Sequence, residues 1–266
     1  MTTMKNGLHY HTENGWDGYV SDKAWQEEFR DLDAWLKVHP GTTIVAYPSR
    51  EVRRVETPMG VVYLKYIRAL TDAGLTGHEW LSWAKWVFRP SRALATWRIS
   101  QKLLAEGFAC PVPVLAVRRR QHGYPNDLFV SLEIPRPNLW DEPGDSPDEL
   151  IRILAAETAR FHEAGFAHGD FILRNLCLNP STRHLVFLDN DRTWRPMPGL
   201  RGHYQKRNLA QMTYSLLRRF KDSRIPLDFL NEYQRLTGKI SSTDVASILR
   251  GAEKRLANRN HREQAP

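Results

Sequence analysis

The sequence contains little cysteine and no long apolar run, and these two features exclude several classes of protein. Cys110 and Cys177 are the only cysteines among 266 residues, and they lie far apart between apolar neighbours. This spacing excludes a disulfide scaffold and a cysteine-rich metal site, so we expect both side chains to be buried as small apolar residues. No stretch approaches the ~18 apolar residues that a bilayer-spanning helix needs, and we predict no membrane span.

The first twenty residues contain no apolar stretch behind a basic start, so we expect no secretion signal. We therefore predict a cytoplasmic protein. The composition, with 41% hydrophobic and 26% charged residues, is typical of one large globular domain or of two small lobes.

Positive charge exceeds negative charge only near the C-terminus. Residues 201–266 contain 14 Lys and Arg against 6 Asp and Glu, whereas residues 1–200 contain 24 of each kind. The net charge of +8 is therefore a property of this C-terminal region. Such a surface suits nucleic acid, an anionic membrane leaflet or a phosphate-bearing substrate, and it is also common on solvated helices.

The spacing of apolar residues changes along the chain and predicts an α+β protein. Ser21 or Asp22 caps a predicted helix that ends near residue 39, and a helical stretch at 77–106 follows the third of five predicted strands. The turn at 57–60 favours an antiparallel hairpin between the second and third strands. The predicted strands are 42–47, 51–56, 61–67, 112–117 and 128–134.

A Pro-rich, acidic segment separates these strands from a mainly helical second half. The sequence thus predicts an N-lobe at 1–134, with an N-terminal helix, a five-stranded sheet and inserted helices. A linker at 135–147 and a helical C-lobe at 148–266 follow. In the C-lobe, an apolar stripe that ends at Gly165 predicts a helix over 147–164.

Two polar motifs in the second half can carry chemistry. The first runs from His168 through Asp170 to Asn175, and the second is a short apolar strand that ends at Asp189. The pattern H-x-D, an Asn five residues after the Asp, and a strand ending in a second Asp resembles the protein-kinase-like fold. There these segments are the catalytic loop and the metal-binding strand.

This resemblance implies phosphoryl transfer from ATP with Mg²⁺. Asp170 would orient the acceptor hydroxyl, with His168 in the same catalytic set and Arg174 placing positive charge near the γ-phosphate. The ligands of the metal ions would be Asn175, Asp189 and Asp191.

The same fold places a cation on the third strand to bind the nucleotide phosphates, and Lys65 is the candidate. Strand alternation puts Lys65 on one face with apolar residues that could line an adenine pocket. Backbone groups of Glu133 and Ile134 are the expected adenine contacts. Ser49 and Arg50 stand where protein kinases carry a glycine-rich loop, which this sequence lacks.

Protein-kinase features that bind a peptide are absent. Asn190-Asp191 follows the metal-binding Asp in place of Phe-Gly, and no A-P-E sequence occurs downstream. Thr96 stands where a helix Glu usually pairs with the strand lysine, so we expect either Glu79 or Glu106 to replace it or Asp189 alone to hold Lys65. These departures favour a small-molecule acceptor and leave a non-catalytic relative as an alternative.

Beyond the two motifs, the chain resembles the lipopolysaccharide-core sugar kinases, the family of the heptose kinases and the Kdo kinase. A further match at 207–210 has Asn208 where that family is expected to have Asp. The resemblance covers residues 47–236 and rests on the segments 62–65, 95–98, 111–113, 129–134, 168–175 and 188–191.

The family resemblance implies an ATP- and Mg²⁺-dependent kinase that phosphorylates a heptose or Kdo hydroxyl of a lipid-linked lipopolysaccharide core. The basic C-terminal region fits an anionic acceptor and peripheral contact with the anionic inner membrane. An aminoglycoside-type phosphotransferase and a pseudokinase scaffold are the alternatives, and no nucleic-acid partner is expected. Trp80, Trp83 and Trp86 either pack in the N-lobe or form a membrane-facing patch.

Overall fold

A computed structural model describes residues 7–68, 90–121, 124–142 and 146–264. The chain forms two compact units: a sheet unit of residues 1–107 and 111–134, and a helical unit of residues 108–110 and 135–266. The architecture is α+β, as predicted. Glu79, the three tryptophans Trp80, Trp83 and Trp86, and the part of the predicted helical stretch 77–106 that precedes Pro90 lie outside the described residues. No helix within the described ranges is long and apolar enough to cross a membrane.

The described part of the sheet unit forms one antiparallel sheet of seven strands, in the order β1-β2-β6-β7-β5-β4-β3. The prediction of five strands was wrong because the first hairpin consists of two four-residue strands, too short to show clear alternation. A Cβ on Gly18 would lie 2.1 Å from the Ala116 carbonyl oxygen, so this glycine allows β2 to approach β6. The strands are β1 (Leu8–His11), β2 (Asp17–Val20), β3 (Thr42–Tyr47), β4 (Arg50–Thr57), β5 (Gly60–Ile67), β6 (Pro113–Gln121) and β7 (Tyr124–Leu132).

The predicted N-terminal helix is in fact two short helices, α1 (Lys23–Glu28) and α2 (Leu32–Val38). Asp22 caps the first by accepting a hydrogen bond from the Trp25 amide at 3.0 Å. Asp31 caps the second in the same way, because its side chain accepts from the Ala34 amide at 3.0 Å. A third helix, α3 (Arg92–Ala105), begins after Pro90.

The helical unit contains four α-helices among its described residues, together with a small hairpin. The predicted inward stripe of the first helix is confirmed, since its five residues Leu150, Leu154, Ala155, Thr158 and Phe161 are all buried. The elements are α4 (Pro147–Glu163), β8 (Leu176–Leu178), β9 (Leu185–Phe187), α5 (Arg201–Phe220), α6 (Arg224–Thr237) and α7 (Ser242–Gln264).

A cluster of buried phenylalanines forms the core next to the predicted catalytic loop. Phe161 of α4 stacks on Phe187 of β9 with ring centroids 4.4 Å apart, and it also stacks on Phe171 of the loop at 6.3 Å. Burial of each ring stabilises the unit by roughly 2–3 kcal/mol. Shared apolar packing therefore fixes the loop to β9, the strand that precedes Asp189 in the chain.

Candidate active site

The β8–β9 hairpin brings two of the three predicted metal ligands, Asn175 and Asp189, together. Leu176 pairs with Phe187 in this hairpin, and one step further the Leu188 amide donates to the Asn175 carbonyl oxygen at 2.8 Å. Asn175 precedes β8 and Asp189 follows Leu188 along the chain. Backbone pairing thus places Asn175 and Asp189 at the same end of the hairpin.

The side chain of Asn175 folds back onto Asp170. Its Nδ2 donates to the Asp170 carbonyl oxygen at 2.8 Å and to Oδ2 of the Asp170 carboxylate at 3.3 Å. Because the amide nitrogen is engaged in this way, Oδ1 of Asn175 is the atom left to bind a cation. Asp170 itself is exposed, as a group that must reach an acceptor should be.

Asp189 has a left-handed backbone conformation, with φ 49° and ψ 52°. This conformation costs a non-glycine residue roughly 1–2 kcal/mol and is concentrated at functional sites. The next residue holds the turn in place, because Asn190 is buried and donates from Nδ2 to the Phe187 carbonyl oxygen at 2.7 Å. Asn190 also accepts from the Thr193 hydroxyl at 3.1 Å. Here a polar amide occupies the position of the Phe in the protein-kinase motif.

The donor set fits Mg²⁺ bound together with a nucleotide. Mg²⁺ usually takes one or two carboxylates and completes its coordination with water and substrate phosphates. Asp189 and Oδ1 of Asn175 are donors of this kind, and Asp191 lies half-buried in the adjoining turn. Within the described residues, no group of three or more His, Cys, Asp or Glu side chains could hold a metal ion without such help.

His168 connects the loop to the Asp189 strand from inside the protein. Its Nε2–H donates to the Leu188 carbonyl oxygen at 2.9 Å, and its Nδ1 accepts from the Asp170 amide at 3.1 Å. Burial lowers the pKa of His168 and favours the neutral ring that this pattern requires. His168 is 1% exposed. His168 therefore links the backbone of Asp170 to that of Leu188, next to Asp189, and a catalytic part for its buried side chain stays a prediction.

Three polar residues on one face of α5 hold the backbone of the loop. The first is Asn208, which is buried and bonds both backbone groups of His168. Its Oδ1 accepts from the His168 amide at 3.0 Å, and its Nδ2 donates to the His168 carbonyl oxygen. An Asp, which the family pattern led us to expect here, could accept the first bond but could not donate the second.

The other two residues of this row, Gln211 and Ser215, lie further along the same helix. Gln211 donates from Nε2 to the Gly169 carbonyl oxygen at 3.0 Å and accepts from the Phe171 amide at 3.2 Å. The Ser215 hydroxyl accepts from the Leu173 amide at 3.1 Å. Helical spacing places Asn208, Gln211 and Ser215 on one face of α5, and we call these three residues the α5 row.

Glycine is required between His168 and Asp170. A Cβ on Gly169 would lie 2.2 Å from the Cβ of Arg192 and 2.7 Å from its carbonyl oxygen. A larger residue at this position would therefore push the loop away from the turn that follows Asp189.

In the sheet unit, Lys65 lies on β5 directly opposite Phe129 of β7. Val62 and Leu64, on the other face of the strand, are buried in the core, whereas Lys65 is only partly buried. This alternation is the one that the sequence predicted. Thr96 is buried on α3, and its hydroxyl donates to the Arg92 carbonyl oxygen at 2.7 Å.

The remaining predicted nucleotide contacts also belong to the sheet unit. The amide of Glu133 donates to the Val61 carbonyl oxygen at 2.9 Å, so this N–H is used within the sheet unit. Its carboxylate binds Arg54 through two hydrogen bonds of 2.7 and 3.2 Å. Ser49 lies in the tight turn between β3 and β4, and Arg50 begins β4.

The fold and the loop define a protein-kinase-like protein, and comparison with solved structures supports this class. The chain is similar to "WaaP in complex with acyl carrier protein", with a TM-score of 0.60, 19% identity, and coverage of 87% of this chain and 94% of that chain. It is also similar to the Rio2 kinase–ADP/Mg²⁺–phosphoaspartate complex from Chaetomium thermophilum. That TM-score is 0.50, with 16% identity and coverage of 93% of this chain and 82% of the other.

The particular family follows from the sequence. The model of the lipopolysaccharide kinase (Kdo/WaaP) family matches residues 49–250, so the chain belongs to this family. No curated protein matches the chain in sequence. Membership in a kinase family implies phosphotransferase activity, which agrees with the arrangement around Asp170.

Proposed function

We propose that the protein transfers the γ-phosphoryl group of ATP to a heptose or Kdo hydroxyl of the lipopolysaccharide core. The observation that carries this proposal is the hydrogen bonding of Asn175 to Asp170, next to the Leu188–Asn175 backbone bond. It brings the exposed Asp170 and Asn175 together at the end of the hairpin that Asp189 also follows. Family membership supports the class of acceptor.

Each loop residue has a distinct part in this reaction. Asp170 orients the acceptor hydroxyl and takes its proton as the oxygen attacks phosphorus. Asn175 and Asp189 would hold Mg²⁺, with Asp191 as a further ligand, and a bound Mg²⁺ would supply neutralisation of the phosphate charge. Arg174 adds positive charge on the exposed surface of the loop.

The sheet unit supplies the proposed nucleotide contacts. Lys65 binds the phosphates, and Ser49 and Arg50 contribute in place of a glycine-rich loop. Because the Glu133 amide is already engaged, the carbonyl of Glu133 and the backbone of Ile134 are the proposed adenine contacts.

The decisive experiment offers the intact protein labelled ATP, Mg²⁺ and purified lipid-linked core, with Asp170→Asn as the inactive control. We expect one phosphate on heptose or Kdo, located by mass spectrometry of the product. Transfer to an aminoglycoside and not to the core would replace this proposal with the alternative phosphotransferase. Absence of transfer to either acceptor, with no ATP turnover, would indicate a pseudokinase.

A lipid-linked acceptor implies a cytoplasmic protein that contacts the inner membrane peripherally. Sedimentation with vesicles of anionic or neutral lipid tests this part of the proposal. Binding that requires anionic lipid and weakens with added salt would support it. Replacing Trp83 and Trp86 by Ser then tests whether these tryptophans take part, and an unchanged affinity would assign the contact to another surface.

A further inference from the structure

A turn at residues 138–141 places Trp140 beside the catalytic loop. Oδ1 of Asn138 accepts from the amides of Trp140 and Asp141, at 3.0 and 3.2 Å. The amide of the buried Leu139 donates to the Leu176 carbonyl oxygen at 2.8 Å. Since Leu176 directly follows Asn175, this bond fixes the turn to the end of the loop.

Two arginines from different elements converge on the Trp140 ring. The guanidinium carbon of Arg174, in the catalytic loop, lies 4.9 Å from the ring centroid. That of Arg218, in the last turn of α5, lies 5.1 Å from the same centroid. Arg219 fixes the backbone of the turn by donating from Nε to the Trp140 carbonyl oxygen at 2.6 Å. Two guanidinium groups therefore lie over one indole, and a third binds the backbone of the same residue.

The two ring-stacked arginines have no ion-pair partner among the residues that the structure describes. Asp141, which is next to Trp140 in sequence, instead accepts a hydrogen bond on its carboxylate from Nδ2 of the Asn138 side chain at 2.8 Å. Like charges held near one another repel, and a bound anion would offset that repulsion. Guanidinium groups that lie over an indole face without an ion-pair partner can still offer N–H donors, and these donors match carboxylate and phosphate oxygens.

We propose that Arg174 and Arg218, held on Trp140, form a subsite that binds an anionic substituent of the acceptor, either a phosphate or a carboxylate group. The proposal rests on the proposed function, because Arg174 lies between Asp170 and Asn175 in the loop that receives the acceptor hydroxyl. The subsite selects acceptors that already carry negative charge next to the reacting sugar. It also disfavours polycationic acceptors such as aminoglycosides.

Calorimetric titration of the intact protein, without nucleotide, tests the subsite directly. The probe is deacylated core oligosaccharide in three forms: untreated, with its phosphate groups removed, and with its carboxylates reduced to alcohols. We expect one of the two treatments to weaken binding about tenfold, which identifies the group that the subsite binds. Arg174→Gln and Arg218→Gln should each weaken binding of the untreated form by a similar factor and abolish the difference between forms.

The control is Arg224→Gln, which removes the same charge from an exposed arginine paired with Asp222; its binding should equal that of the parent. Arg218→Lys keeps the charge without the fork and should recover part of the affinity. Because Arg174 is exposed, Arg174→Gln keeps the test valid even where the Arg218 variants fold poorly.

Two results would overturn the subsite: equal affinity for all three oligosaccharides, or an Arg174 variant that keeps the preference of the parent. The titration requires no phosphoryl transfer, so the subsite and the proposed function fail separately. Charge-selective binding without transfer would remove only the proposed activity. Transfer without charge selection would remove only the subsite.

Discussion

The two units specify their predicted functional residues in different ways. In the helical unit, the catalytic loop is tied to α5 by hydrogen bonds to the backbone of His168, Gly169, Phe171 and Leu173. In the sheet unit, Lys65 owes its position to strand alternation. A loop is precise only when other residues hold its backbone, whereas a strand aims its side chains through its own pleat. We call His168 and the α5 row, which hold the backbone of the loop, and His162, which contacts this row, the frame. In the helical unit, substitutions in this frame should therefore lower activity by moving the loop. In the sheet unit, a substitution should act only through the side chain that it removes.

The largest effect is expected from Asp170→Asn and Asp189→Asn. Each removes a carboxylate to which we assign acceptor orientation or metal binding, so we expect a cost of about 4 kcal/mol in the barrier, or roughly a thousandfold in rate. Labelled-phosphate transfer and thermal unfolding, measured together, separate chemistry from folding. The unfolding temperature should change little, because Asp170 is exposed and Asp189 is only half-buried. Asp228→Asn, on the exposed face of α6, is the control, and near-parent activity in both test variants would refute the site.

The sequence predicted this loop well because its residues are close together in the chain. His168, Asp170, Asn175 and Asp189 occur at spacings that one loop and one hairpin produce, so pattern alone located them. The sequence did not reveal the α5 row apart from Asn208. Polar residues on a helix normally face solvent, and only the burial of their neighbours Leu209, Met212 and Leu216 could have indicated otherwise.

The fold was predictable where a strand or helix was long enough to show a regular spacing of its apolar residues. Strands β4 and β5 and the helix α4 met this condition. The first hairpin did not, since each strand has four residues, and the break between α1 and α2 depends on the local cap at Asp31. The cluster of Arg174 and Arg218 on Trp140 was also hidden, because it joins three segments that are distant in sequence.

The variant Asn208→Leu tests whether the α5 row holds the backbone of the loop. This change keeps the size of the side chain but leaves the buried amide and carbonyl of His168 without their partners. We expect a loss of about 3 kcal/mol in the free energy of unfolding, together with lower activity in the folded protein. Urea unfolding and phosphate transfer are the measurements. Gln234→Leu, which makes a similar change on α6, is the control; equal stability of the two variants would show that the α5 row does not hold the loop.

A smaller and more selective effect is expected from Lys65→Ala. If Lys65 binds nucleotide phosphates, its loss should raise the KM for ATP about tenfold to a hundredfold while the KM for the acceptor changes little. The stability of the sheet unit should be nearly unaffected, since Lys65 is only partly buried. Titration of the thermal unfolding temperature with Mg·ATP measures the effect. An identical shift for Lys65→Ala, the parent and the exposed control Lys102→Ala would mean that Lys65 is an ordinary strand residue.

The smallest effect concerns the dependence of stability on pH, and it again distinguishes buried frame residues from exposed ones. His162 of α4 is buried; its Nε2–H points to Oδ1 of Asn208 at 3.4 Å, and its Nδ1 accepts from the Tyr233 hydroxyl at 2.9 Å. Burial lowers the pKa of His162 to about 4, the charge of Lys239 acts in the same direction, and the hydrogen bond to Asn208 opposes both. The imidazole of His162 therefore binds a proton more tightly in the unfolded chain than in the folded protein. Its protonation costs no free energy of unfolding above the unfolded pKa of about 6.5, and the free energy of unfolding falls as the pH drops toward about 4. We expect His162 to account for a loss of about 1 kcal/mol in the free energy of unfolding between about pH 7 and 5.5.

The variant His162→Gln tests this assignment. In this variant the part of the pH dependence that is due to His162 should disappear, whatever the variant's stability at neutral pH. The exposed control His203→Gln should keep the pH dependence of the parent. Urea unfolding at a series of pH values decides the matter, and an unchanged slope in His162→Gln would show that other groups, such as His168, carry the acid sensitivity.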